Sequence, residues 1–162
     1  MSTQIEKDLH SWFTENRKTL AFAESCTGGR LSTQITAMPG SSAYFLGSLV
    51  VYSNKLKEKI LSVSSETLST KGAVSLQTAE EMLSGLFLAT GADFGVAVTG
   101  LAGPSGGSLE KPVGTVFYAI GKKEGKSESG SFCAQGNREE VMLFTVHLML
   151  KKLLQLCQNT NS

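Results

Sequence analysis

Apolar residues at Ile5, Leu9, Trp12 and Phe13 recur at helical spacing and predict an amphipathic helix over residues 5–17. Leu20-Ala21-Phe22-Ala23 is apolar and short, which predicts a buried strand ending at Glu24. Helical spacing returns over residues 31–38 and stops at Met38-Pro39-Gly40. A polar turn, Gly40-Ser41-Ser42, then leads through Tyr44-Phe45-Leu46 into a strand over residues 47–52. Asn54 is the expected cap of a short helix over residues 55–61, and a second short helix runs from Ser64 to Lys71-Gly72. Ser75 precedes a longer helix through Thr90, with Ala79, Met82, Leu83, Leu86 and Phe87 as its apolar face and Gly91 as its stop.

The second half continues the alternation. Phe94-Gly95-Val96-Ala97-Val98-Thr99 predicts a buried strand, and residues 100–112 form a glycine- and proline-rich loop. A strand over residues 113–120, a turn over residues 121–125 and a polar edge strand over residues 126–134 follow. Asn137 opens a last helix running to about Gln155, and the polar residues after it are expected to fray. Helices and strands in this order predict an α/β fold, helices on both faces of a sheet, with the late hairpin making the sheet mixed. The whole chain, residues 1–162, reads as a single domain.

Composition narrows the function classes. A net charge of +1 gives no basis for a nucleic-acid partner, and no apolar run is long enough for a membrane span. The polar first ten residues lack a signal-peptide core. Cys26, Cys133 and Cys157 are widely spaced and form neither a disulfide framework nor a zinc pattern, so a cytoplasmic protein without a metal is expected. His10 and His147 lie in helical patterns, where packing or solvent exposure is the ordinary role.

Candidate chemistry collects at strand ends. Ser25-Cys26-Thr27-Gly28-Gly29 follows the first strand and opens a helix, a place where ligands bind in open α/β sheets. It places two hydroxyls, a thiol and the N–H groups of a helix start there, although the stretch taken alone favours the ordinary reading of a serine or threonine cap with a flexible glycine pair. Lys57 falls in the first turn of a helix, where the dipole disfavours its charged form and suits it to act as a base. A solvated lysine is the ordinary alternative. Thr99-Gly100-Leu101-Ala102-Gly103-Pro104 repeats the strand–hydroxyl–glycine design, and Gly136-Asn137-Arg138 sets a guanidinium at a helix start. No P-loop, dinucleotide fingerprint, HExxH or GxSxG motif is present.

In combination the motifs are specific. Ala23-Glu24-Ser25-Cys26-Thr27-Gly28-Gly29, Gly40-Ser41-Ser42, Tyr52-Ser53-Asn54, Gly72-Ala73-Val74-Ser75, the Thr99–Pro104 stretch with Gly106-Gly107, Lys111-Pro112-Val113-Gly114-Thr115-Val116 and Gly136-Asn137-Arg138 occur in one order. The chain closely resembles the CinA C-terminal domain family, whose stand-alone members include nicotinamide mononucleotide amidohydrolases of the PncC type. The resemblance implies a three-layer α/β/α sandwich and hydrolysis of nicotinamide mononucleotide to nicotinate mononucleotide and ammonia. It implies a Ser/Lys mechanism with no cofactor and no metal. Ser25 would be the nucleophile, Lys57 its base and Tyr52 a further catalytic residue. Cys26, Thr27, Gly28, Ser42, Thr99, Gly100, Ala102, Gly103 and Arg138 would bind substrate, with the Arg138 guanidinium on its phosphate. The implied partner is a small pyridine nucleotide, not nucleic acid or membrane, with a homo-oligomer left open. The alternative is a nucleotide-binding or regulatory paralogue that keeps the pocket without turnover.

Overall fold

The computed structural model describes residues 3–160. Five strands form one sheet in the order β2-β1-β3-β4-β5. They are β1 (Leu20–Glu24), β2 (Phe45–Val50), β3 (Phe94–Gly100), β4 (Thr115–Lys122) and β5 (Ser127–Cys133). β1 runs parallel to β2 and to β3, while β3–β4 and β4–β5 are antiparallel, so the sheet is mixed as expected. The helices are α1 (Gln4–Asn16), α2 (Arg30–Thr36), α3 (Asn54–Leu61), α4 (Ser65–Thr70), α5 (Leu76–Thr90) and α6 (Arg138–Gln158).

Side chains alternate across the strands, and the two faces differ in size. Leu20 and Phe22 of β1 and Phe94, Val96 and Val98 of β3 pack with Leu9 and Phe13 of α1 and Met149, Leu150 and Leu153 of α6. On the other face Ala21, Ala23, Ala97 and Ala119 meet Met82, Leu83 and Leu86 of α5. Small sheet residues let α5 approach closely. A Cβ on Gly95 would lie 3.0 Å from Leu83 and Phe87. One close approach positions the site directly: a Cβ on Gly85 of α5 would stand 1.9 Å from the Leu61 carbonyl oxygen of α3. Glycine there lets α5 fix the C-terminal end of α3, the helix that carries Lys57.

Element ends depart from the sequence reading for identifiable reasons. Ser53, not Asn54, caps α3: its backbone is extended and its Oγ accepts from Leu56 N–H at 3.2 Å. β2 spans Phe45–Val50 rather than residues 47–52, because its neighbour β1 ends at Glu24, opposite Val50, and Ser53 already caps the helix. β4 starts at Thr115 rather than residue 113, since Gly114 has φ +96° and Thr115 N–H closes a turn onto Pro112 O at 3.1 Å. Gly121 and Lys122 belong to β4, which tightens the hairpin turn; Lys122 N–H donates to Lys126 O at 3.2 Å. α6 continues to Gln158, held by buried Leu153 and Cys157. The expected fraying falls partly outside the described residues. No described helix is long and apolar enough to cross a membrane.

Candidate active site

The loops leaving the C-terminal ends of β1 and β2 go to opposite faces, through α2 and through α3. A crevice opens where they part, the position ligands take in such sheets. Ser25 follows β1 and is locked in place by its N–H bond to Val98 O of β3, 3.1 Å. The chain then turns through Gly28 (φ +59°) and Gly29 (φ +92°), backbone that disfavours residues with a Cβ.

Glu24 organises this turn, a role the sequence reading missed. Its carboxylate is fully buried and meets four donors. Oε2 accepts from Thr27 Oγ1 (2.7 Å) and Leu31 N–H (3.0 Å), and Oε1 from Ser32 N–H (3.0 Å) and Ser48 Oγ (2.8 Å). One side chain thereby joins β1, the turn, the first residues of α2 and β2. The available signal was the lone acid ending an otherwise apolar strand, since a buried carboxylate must be paired with donors.

Lys57 projects from the first turn of α3 to the Ser25 hydroxyl; Nζ lies 2.9 Å from Oγ. Its side chain is 1% exposed. Nζ donates to the carbonyls of Val51 (2.9 Å) and Tyr52 (3.4 Å). Burial pushes its pKa below the ordinary lysine value, favouring the neutral amine. With two N–H groups on carbonyls, the lone pair of a neutral amine is free to face the Ser25 O–H. Cys26, next to the serine, is 5% exposed, and burial drives its thiol up to about 12, so it remains protonated at neutral pH.

Two neighbouring compartments lie beside this pair. The inner one, about 230 Å³, is lined by Ser25, Cys26, Lys57, Ala73, Thr99 and the residue 100–103 loop. The outer one, about 960 Å³, is lined by Gly28, Arg30, Pro104, Asn137, Arg138 and Met142 among others. Tyr52, Ala102 and Arg138 border both. Arg138 donates from Nη1 to Gly103 O (2.7 Å) and from Nη2 to Tyr52 Oη (2.9 Å), which ties the glycine loop to the end of β2 across the neck. Thr99 Oγ1 donates to Ala73 O (2.7 Å) and Lys111 Nζ to Val74 O (2.7 Å), and these bonds hold the remaining wall.

Of the residues expected at the site, Ser25, Cys26, Tyr52, Lys57, Thr99, Gly100, Ala102, Gly103 and Arg138 come together around the inner compartment, and Gly28 borders the outer one. Thr27 does not face either space: it is fully buried with its hydroxyl on Glu24. Gly28 N–H is also occupied, by Ser25 O at 3.1 Å. Ser42 lies elsewhere, exposed in the 3-10 turn Ser41–Ala43 before β2, at the opposite end of the parallel strands from Ser25. Among the described residues no group of three or more His, Cys, Asp or Glu side chains gathers as a metal-binding cluster would.

Residues 2–157 match the model of the CinA C-terminal domain. A CinA-like protein of Leptospira biflexa is 42% identical over 158 residues, covering 93% of this chain and 38% of that protein. A CinA-like protein of Geotalea daltonii is 49% identical over 141 residues, covering 87% of this chain and 34% of that one. The chain thus spans little more than a third of the length of these curated relatives. Among solved structures, the competence/damage-inducible protein CihA of Agrobacterium tumefaciens superposes with a TM-score of 0.92 at 40% identity, covering 94% of this chain and 93% of that one. A competence or damage-inducible protein of Enterobacter asburiae gives 0.90 at 36% identity, with 95% and 96% covered.

Proposed function

The chain belongs to the CinA C-terminal domain family, and on that premise we propose that it hydrolyses the carboxamide of nicotinamide mononucleotide to nicotinate mononucleotide and ammonia. The observation carrying this reading is the buried Ser25–Lys57 contact of 2.9 Å on the wall of a small compartment that shares lining residues with a larger one bearing two arginines. The inner space suits a pyridine ring and its carboxamide, and the outer one the ribose and phosphate.

In this mechanism neutral Lys57 accepts the Ser25 hydroxyl proton as Oγ attacks the carboxamide carbon. The carbonyl oxygen becomes the oxyanion. Its donor is the N–H group of Cys26, which lines the inner compartment and has no backbone acceptor among the described residues. The Lys57 ammonium returns the proton to the leaving nitrogen, and ammonia departs. The remaining ester on Ser25 is then hydrolysed: Lys57 takes a proton from water, hydroxide adds to the ester carbon, and Ser25 leaves reprotonated.

The test is ammonia release from nicotinamide mononucleotide by the purified protein, with nicotinate mononucleotide identified as the other product. Stoichiometric formation of both supports the assignment. Binding of the nucleotide with no ammonia released would instead identify a nucleotide-binding protein without turnover.

A further inference from the structure

Arg30 has no part in the steps above, yet it stands on the wall of the outer compartment. It is the first residue of α2 and is half-buried. Its guanidinium makes one hydrogen bond, from Nη1 to Thr27 O, and at 3.4 Å that bond is long. Arg138 borders the same compartment, its Nη atoms on a carbonyl and a phenol. Glu139 is also on that wall, but among the described residues the only ion pair is Lys152–Glu128. Two guanidiniums therefore share one cavity, and neither is ion-paired to a carboxylate among the described residues. Like charges facing a common space repel, and an anion placed between them relieves that repulsion.

We propose that Arg30 is a specificity-determining residue that, with Arg138, holds the terminal phosphate monoester of the substrate. The identity of that substrate rests on the hydrolase reading above. Arg138 borders both compartments, whereas Arg30 borders only the outer one. With the carboxamide at Ser25, the far end of a mononucleotide extends past the neck toward Arg30. A phosphate monoester carries nearly two negative charges at neutral pH, and planar guanidiniums pair with it through parallel charge-assisted hydrogen bonds. Two arginines match its charge, and neither has a use for the neutral riboside.

The experiment measures calorimetric binding of nicotinamide mononucleotide and of nicotinamide riboside to the Ser25→Ala protein, with and without Arg30→Gln. Ammonia release by the unaltered protein is followed in parallel. Arg30→Gln should raise the mononucleotide Kd about tenfold or more and the riboside Kd less than about twofold. Arg30→Lys, which keeps the charge but loses the planar fork, should fall between and serves alone if the glutamine variant does not fold. An unchanged mononucleotide Kd, or equal shifts for both ligands, overturns the assignment. Ammonia release with Arg30-independent binding defeats this inference and leaves the hydrolase reading standing. Arg30-dependent binding without ammonia release does the reverse.

Discussion

The two compartments of the site are built on opposite physical terms. In the inner one the polar groups are few and buried: Ser25 at 7% exposure, Lys57 at 1% and Thr99 at 1%. Each is oriented by backbone carbonyls or N–H groups rather than by an opposite charge. In the outer one the charged groups are exposed or half-buried, and Tyr52 at its neck is 60% exposed. Desolvation is what turns a lysine into a base, because losing water penalises the ammonium more than the amine. Recognition of an anion needs persistent charge, which only wet guanidiniums supply at low cost. The contrast predicts that inner-compartment changes act on turnover and outer-compartment changes on affinity.

The largest expected effect breaks the inner compartment. Ser25→Ala and Lys57→Ala should each lower ammonia release by at least about a thousandfold, with the double variant scarcely worse than either, because the two act as a unit. Steady-state ammonia assays with circular dichroism as folding control provide the check. In the unaltered protein activity should rise with pH as Lys57 loses its proton, in a range displaced below that of an ordinary lysine. Additive losses in the double variant would mean that the two residues do not share a step.

Next comes Glu24, which supports the inner compartment from beneath. Glu24→Gln keeps the shape but removes the charge from four donors and sets an NH₂ group among them. The expected cost is about 2 kcal/mol or more of folding stability, read from denaturant midpoints. Turnover should fall too, since the turn bearing Ser25 is anchored there. A Gln variant as stable and active as the unaltered protein would show that the carboxylate is dispensable.

Much of this was legible in the chain. The alternation of Leu20, Phe22 and Ala21, Ala23 marks a strand buried on both faces, and the mixed sheet follows from the late hairpin. The meeting of Ser25 and Lys57 was only suggested by their places at strand ends and became specific through the family resemblance, because no spacing rule brings residues thirty-two apart together. Ser42 shows the limit most clearly. β1 and β2 are parallel, with Leu20 opposite Phe45 and Glu24 opposite Val50, so a turn that precedes β2 falls at the sheet end away from Ser25. Local pattern carries no information about which end of a sheet a turn occupies. Thr27 and Glu24 were opaque for another reason: a buried hydrogen bond between them looks, in sequence, like one more polar residue in a polar turn.

A smaller effect separates the lysine's chemistry from its stability cost. The folded pKa of Lys57 is depressed, so between that value and the ordinary lysine pKa the unfolded chain binds more protons than the folded one. Through that window stability should rise with pH, and below it the folded state carries the full cost of a buried ammonium. Lys57→Met removes the term. The stability of the Met variant relative to the unaltered protein should therefore be greatest at low pH and decline as pH rises through the window. Denaturant melts at several pH values measure it, and a pH-independent difference would mean that Lys57 is not depressed.

The smallest expected effect belongs to Cys26, which distinguishes lining the inner compartment from acting in it. A thiolate is intrinsically the better nucleophile than a serine hydroxyl, and Cys26 lies beside Ser25 on the same wall. But burial holds its thiol up near 12, and it stays protonated where Lys57 is already inclined to be neutral. A thiol that does not ionise neither competes for the carboxamide nor supplies charge. Cys26→Ala should accordingly change kcat/KM by no more than about threefold, the residue of a small packing loss, an effect well under 1 kcal/mol. Alkylation at pH 8 should modify exposed Cys133 and spare Cys26, read by peptide mass. A dead Cys26→Ala beside an active Ser25→Ala would move the nucleophile by one residue and give the burial of Cys26 a catalytic meaning.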